Sequence, residues 1–145
     1  MAVSLSLFAD RINEIMPAIS KEFLKHQTEE FYKVKVTLPQ LVILDLLERE
    51  GESKMTDLAN FTNVTTAAMT GIIDRLVRDG YVERAHDTRD RRIVNIKLTS
   101  KGSKLISQIN LQRRHSIINI FGKISQQDRD DYLRILTRIW EYLKR

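Results

Sequence analysis

The 145-residue chain has no cysteine, which excludes disulfides, thiolate metal sites and any cysteine-based redox switch. Nowhere does an apolar run approach the ~20 residues of a membrane span. The opening Met1-Ala2-Val3-Ser4-Leu5 lacks the basic n-region of a secretory leader, so the expectation is a soluble, cytoplasmic protein without membrane contact. Enzyme signatures are missing as well. There is no glycine-rich phosphate loop, no metal-ligand spacing among His26, His86 and His115, and no nucleophile and base set. The sequence therefore implies no catalysis, no cofactor and no metal. Internal repeats and low-complexity segments are also absent.

At 42% hydrophobic content and without a long polar tract, the chain is expected to form one domain over 1–145 that buries roughly 70% of its unfolded surface. Its charge is unevenly placed. Residues 71–104 hold nine Lys or Arg against five acids, which is +4 of the formal +5. Such a local excess suits phosphate binding through counterion release, and a solvated basic face gives the same count.

Hydrophobic spacing sets out mainly helical structure. Phe8, Ile12, Ile15, Ile19 and Phe23 form a helical stripe running toward Tyr32, in which Pro17 should cause a kink or a restart. Thr37-Leu38-Pro39-Gln40 has capping-box spacing ahead of a helix that is apolar on nearly every side and should stop near Glu50-Gly51. Ser53 to Met55 suits a very short strand, with Thr56-Asp57 capping a brief helix that carries Leu58, Ala59 and Phe61. After a turn at Asn63-Val64-Thr65 comes a helix from about Thr66 to Asp79, with Met69, Ile72, Ile73, Leu76 and Val77 inward and Gly80 as its stop. Tyr81–His86 and Arg92–Leu98 read as a hairpin with a charged loop. Two further helices follow: a long one opened by Thr99-Ser100 with Lys101-Gly102 and apolar at intervals from Leu105 to Phe121, and one capped by Ser125 with Leu133, Leu136, Ile139, Trp140 and Leu143 on a broad apolar face. That surface exceeds what a small domain can cover, so the first and last two helices are expected to pack on a second copy.

This order is that of a winged helix-turn-helix, a mainly α fold with a small β-hairpin wing (α+β) flanked by long N- and C-terminal dimerisation helices. The reading region spans 37–102, and the helical dimerisation region spans 1–36 and 103–145. In such a fold the second helix turns its N-terminal side chains toward base edges. The outward set is Thr65, Thr66, Ala67, Thr70 and Gly71. Threonine hydroxyls and methyls can contact bases, although Thr65 or Thr66 also suits a helix cap. Thr70 and Gly71 are poor helix formers at mid-helix, which points to close approach by a partner or to tight packing between helices of the protein. Arg75, Arg78 and Arg84 can bind phosphates or simply be solvated. In the loop, Arg89, Arg91 and Arg92 alternate with Asp87 and Asp90. An arginine there can enter a narrow minor groove with an aspartate holding its guanidinium. Aspartates are also common turn residues.

The set Asp74-Arg75-Leu76, Gly80-Tyr81-Val82-Glu83-Arg84, Asp87-Thr88-Arg89-Asp90-Arg91-Arg92 and Leu98-Thr99-Ser100-Lys101-Gly102 resembles the MarR (multiple antibiotic resistance regulator) family of winged-helix transcription factors. The resemblance implies a triangular homodimer on a pseudo-palindromic operator in double-stranded DNA, acting as a sequence-specific transcriptional regulator, here as a repressor. It places Thr65, Thr66, Ala67 and Thr70 at the major groove, Arg75 and Arg84 near phosphates, and Arg91 or Arg92 in the minor groove beside Asp90. It also implies release by a small aromatic or phenolic effector near Phe23, His26, Phe31, Tyr32 and His115, although aromatics at helical spacing equally suit a core. The alternative is a winged-helix protein-interaction module without specific DNA binding.

Overall fold

Thr37 opens the first helix of the reading region with two reciprocal bonds: its hydroxyl accepts the Gln40 N–H at 3.4 Å, and the Gln40 side chain accepts the Thr37 N–H at 2.8 Å. This is the capping box expected from the spacing. A computed structural model describes residues 2–31 and 36–144, with the backbone alone over 26–31. In order they form α1 (Leu5–Phe31), α2 (Leu38–Glu50), β1 (Ser53–Lys54), α3 (Met55–Thr62), α4 (Thr66–Arg78), β2 (Val82–His86), β3 (Val94–Leu98), α5 (Ser100–Phe121) and α6 (Gln126–Leu143). They divide into two compact units, one over 30–111 and one made of the terminal segments 1–29 and 112–145.

The unit over 30–111 holds a continuous apolar core. Ile43, Leu44 and Leu47 of α2, Leu58 of α3, and Met69, Ile73 and Leu76 of α4 are buried against Val82, Ile96 and Ile106. Helix α2 supplies five of the buried apolar side chains, as its all-round hydrophobicity requires. Gly51 then ends it with φ at +75°, a backbone conformation that glycine adopts without strain. The three strands form an antiparallel sheet in the order β1-β3-β2. Val82 pairs with Leu98 and His86 with Val94, and the Glu83–Lys97 pair carries a cross-strand ion pair at 3.1 Å.

Three local expectations change. The helix α1 continues through Pro17 and does not restart there, since one lost backbone bond leaves the neighbouring turns of a long helix intact. The cap of α3 is Lys54, with no side-chain cap bond, and not Thr56-Asp57. Pairing of Ser53 and Lys54 with Ile96 and Asn95 holds those two residues extended, so the strand runs up to Lys54 and the helix begins directly after it at Met55. Both hairpin strands are also shorter at one end than the alternation suggested, beginning at Val82 and Val94.

The joint between α4, β2 and α5 explains the run Leu98 to Gly102. At the end of α4, the Gly80 N–H donates to Val77 and the Tyr81 N–H to Leu76 at 2.9 Å, with Gly80 at φ +80°. This is a Schellman stop. The Thr99 hydroxyl donates to the Gly80 carbonyl at 2.5 Å and accepts the Gly102 N–H, while the Lys101 ammonium donates to the Asp79 carbonyl at 2.7 Å. Gly102 lies so close to the chain crossing it that a Cβ there would sit 2.0 Å from the Tyr81 carbonyl oxygen. The end of α4 and the base of the hairpin are thereby locked to the start of α5.

The terminal unit has a different character. No described side chain of α1 or α6 is buried. Phe23 stacks toward Phe121 at 6.1 Å and Phe121 toward Tyr132 at 5.2 Å, while the Arg129 guanidinium donates to the Phe121 and Ile124 carbonyls. Among the described residues, no helix is long and apolar enough to cross a membrane.

Candidate nucleic-acid interface

Helix α4 buries Met69, Ile73 and Leu76, so residues on its other sides face outward. Thr65 is its N-cap, with the hydroxyl accepting the Ala68 N–H at 3.1 Å. Of the two threonines weighed as caps, Thr65 fills that role. Thr66, Ala67 and Thr70 are exposed. The Thr70 hydroxyl donates to the Thr66 carbonyl at 2.9 Å, which leaves its oxygen as an acceptor and its methyl free. Gly71 is half-buried, and a Cβ added to it would meet nothing within 4 Å. Among the described residues, packing does not require a glycine at that place.

Between α4, the wing and the start of α3 lies an open groove of about 680 Å³. Thr66, Thr70 and Asp74 line it from α4, Arg84, Arg92 and Val94 from the wing, and Lys54 and Thr56 from the β1–α3 junction. The structure thus brings together four residues singled out from the sequence, Thr66, Thr70, Arg84 and Arg92. It adds Lys54, Met55, Thr56, Asp74, Ile93 and Val94, which the sequence pattern did not assign to the site. Nothing local marks Lys54. It arrives through the pairing of β1 with β3, a contact between segments far apart in the chain.

Arg84 is not free in this groove. Its guanidinium forms an ion pair with the Asp74 carboxylate across the gap from β2 to α4. Arg78 pairs with its neighbour Asp79 at 3.1 Å. Among the described residues, no ion pair engages Arg75, Arg89, Arg91 or Arg92, and all four are exposed.

The wing loop is held by its aspartates through the backbone. One Asp87 oxygen accepts the Arg89 N–H at 2.8 Å and the Asp90 N–H at 3.2 Å, and Asp90 accepts the Arg92 N–H at 3.0 Å. The Asp87 N–H donates to Ile93, and the His86 Nδ1 lies 3.0 Å from the Arg91 carbonyl. The turn role of these aspartates is the one realised, and Asp90 steadies the Arg92 amide, not a guanidinium. Donation from the Arg89 and Asp90 amides, aided by Asn95 and the Lys54 charge, holds the Asp87 carboxyl below its ordinary value. With the loop fixed by side chains that carry no guanidinium, the arginine heads remain available to phosphate.

Of the residues expected around an effector, two have described side chains. Phe23 belongs to the aromatic stack described above and His115 is exposed on α5. Tyr32 and the side chains of His26 and Phe31 lie outside the described residues. Among the described residues, no group of His, Asp or Glu is arranged to hold a metal ion.

A helix buried on one side, open on the other, and followed by a basic hairpin on the same face defines a winged helix-turn-helix protein. Comparison with known proteins narrows this. The model of the MarR family matches residues 36–94. The HTH-type transcriptional regulator FarR of Neisseria gonorrhoeae is 32% identical over 114 residues, covering 77% of this chain and 78% of that protein. The HTH-type transcriptional repressor YetL of Bacillus subtilis is 35% identical over 88 residues, 61% of this chain, and that match spans about half (53%) of YetL. The structure of Streptococcus pneumoniae FabT in complex with DNA superposes with a TM-score of 0.78 at 21% identity, over 94% of this chain and 97% of that one. The chain belongs to the MarR family of HTH-type transcriptional regulators.

Proposed function

We propose that this regulator is a cytoplasmic repressor, without enzymatic activity, that binds a pseudo-palindromic operator as a homodimer. One observation carries the reading: the outward threonines of α4 and the wing residue Arg92 line a single groove, so one duplex face can meet both. In this reading Ala67 and Gly71 lie against the major groove beside Thr66 and Thr70, and Arg75 sits at a phosphate. Arg92, sharing the groove with α4, is the wing arginine that engages the strand, while Arg89 and Arg91 add charge at the tip and Asp90 holds the loop. The fold shared with FabT, solved on DNA, supports this use of the groove, and the name of YetL supports repression. The region over 37–102 reads DNA and the helices on either side dimerise. Release by a small aromatic or phenolic effector belongs to the same proposal.

Binding of Arg92→Ala and Arg91→Ala to a site selected from random duplexes tests it across a salt series. Arg92→Ala is expected to cost about 1–3 kcal/mol and to flatten the salt dependence by about one unit of slope, with Arg91→Ala the smaller loss. Unchanged affinity in both variants would favour a wing that serves protein contacts only.

A further inference from the structure

Thr66, Thr70 and Asp74 are spaced four residues apart and line one side of α4, the side that forms the groove. The first two are uncharged, while the third places a carboxylate on a surface that must meet phosphates. Its side chain is 57% exposed and that of its partner Arg84 is 35% exposed, so the pair sits at the groove wall and not in the core. It engages one of the three cationic side chains lining the groove, while Lys54 and Arg92 make no ion pair among the described residues. A guanidinium presents a planar fork suited to a phosphate. Ion pairs at this level of exposure are weak enough to exchange partners.

We propose that Asp74 is a specificity-determining residue: it withholds the Arg84 guanidinium from random DNA and yields it to a phosphate only where base and wing contacts have seated the duplex in the groove. The inference rests on the DNA-binding reading above. It assigns to Asp74 a role opposite to affinity, since its charge and its hold on Arg84 both disfavour loose association with any duplex. Specificity is a difference between two affinities, and lowering the non-specific one widens it.

The test compares the full-length wild type with Asp74→Asn, Arg84→Gln and the double variant, on a selected site and on random-sequence duplex, from about 50 to about 200 mM salt. Asp74→Asn keeps the shape of the side chain, and matching thermal melts establish that each variant is folded. With Arg84 released, Asp74→Asn should bind random duplex several-fold more tightly at low salt. Its salt slope should steepen by about 0.9, so that its affinity loss over that salt range grows roughly 3.5-fold. The ratio of specific to random binding should shrink. In the Arg84→Gln background, Asp74→Asn should change the slope little. The inference is overturned if Asp74→Asn binds random duplex no more tightly than the wild type, which would make the pair a brace for the wing. It is equally overturned if the gain in slope persists without Arg84, which would make it simple removal of a negative charge. A wild type that prefers no selected site over random duplex would instead sink the DNA-binding reading itself, and the inference with it.

Discussion

Gly71 sits in the middle of α4, where glycine is about 1 kcal/mol less favourable than alanine, yet an added methyl would meet nothing within 4 Å among the described residues. The tight-packing explanation for this residue therefore has no partner among the described residues, and the small size is consistent with the close approach of a duplex proposed above. Gly71→Ala should raise the stability of the free protein by about 0.4–1 kcal/mol, measured by denaturant unfolding, while weakening operator binding in a titration. A variant both more stable and equally tight on DNA would remove Gly71 from the interface. Thr70 illustrates the same scale. Its hydroxyl is already bonded to its own helix, so its methyl and its acceptor lone pairs are what it leaves free.

At the scale of elements, the wing is a short hairpin whose loop is held by two carboxylates, of which Asp87 makes the more bonds. Asp87 accepts two amide bonds and its carboxyl is held below the ordinary value. A depressed folded-state value means that the ionised group favours the folded loop. That contribution is fully present above the ordinary Asp range and is lost as pH falls through the lowered value. An NMR titration should accordingly show the Arg89 and Asp90 amide signals unchanged at neutral pH. They should move together only at a pH below that at which a free aspartate protonates. Shifts centred at or above the ordinary value would contradict these hydrogen bonds. The base of the wing is secured differently, by the Thr99, Lys101 and Gly102 joint, so the tip can be altered without loosening the attachment to α4 and α5.

For the whole molecule, the two units differ in how they satisfy their apolar residues. The unit over 30–111 buries its own core, whereas α6 leaves Leu136, Ile139, Trp140 and Leu143 exposed and α1 leaves Phe8, Ile15 and Ile19 exposed. A surface of that kind suits the homodimer proposed above. Ile139→Glu should shift the protein toward monomer in sedimentation and reduce operator affinity. Unfolding of the winged-helix unit should change little, because that residue contributes nothing to its core. A variant that stays dimeric with full affinity would move the dimer contact away from α6.

Local residue order is enough for the features whose causes are local. The capping box at Thr37, the stops at Gly51 and Gly80, the buried side of α4 and the hairpin all follow from propensity, spacing and turn chemistry within a few positions. Hence the reading helix and the arginine-bearing wing are legible in the linear chain alone. Contacts between distant residues are not. The pairing of β1 with β3 moved the start of α3 and carried Lys54 into the groove. The Asp74–Arg84 ion pair engaged an arginine that looks free in the linear chain, and the wing aspartates turned toward amides, not guanidinium groups. Periodicity reports which way a side chain faces, but only three-dimensional proximity decides which partner it meets, because hydrogen bonds and ion pairs depend on distances that sequence separation does not set.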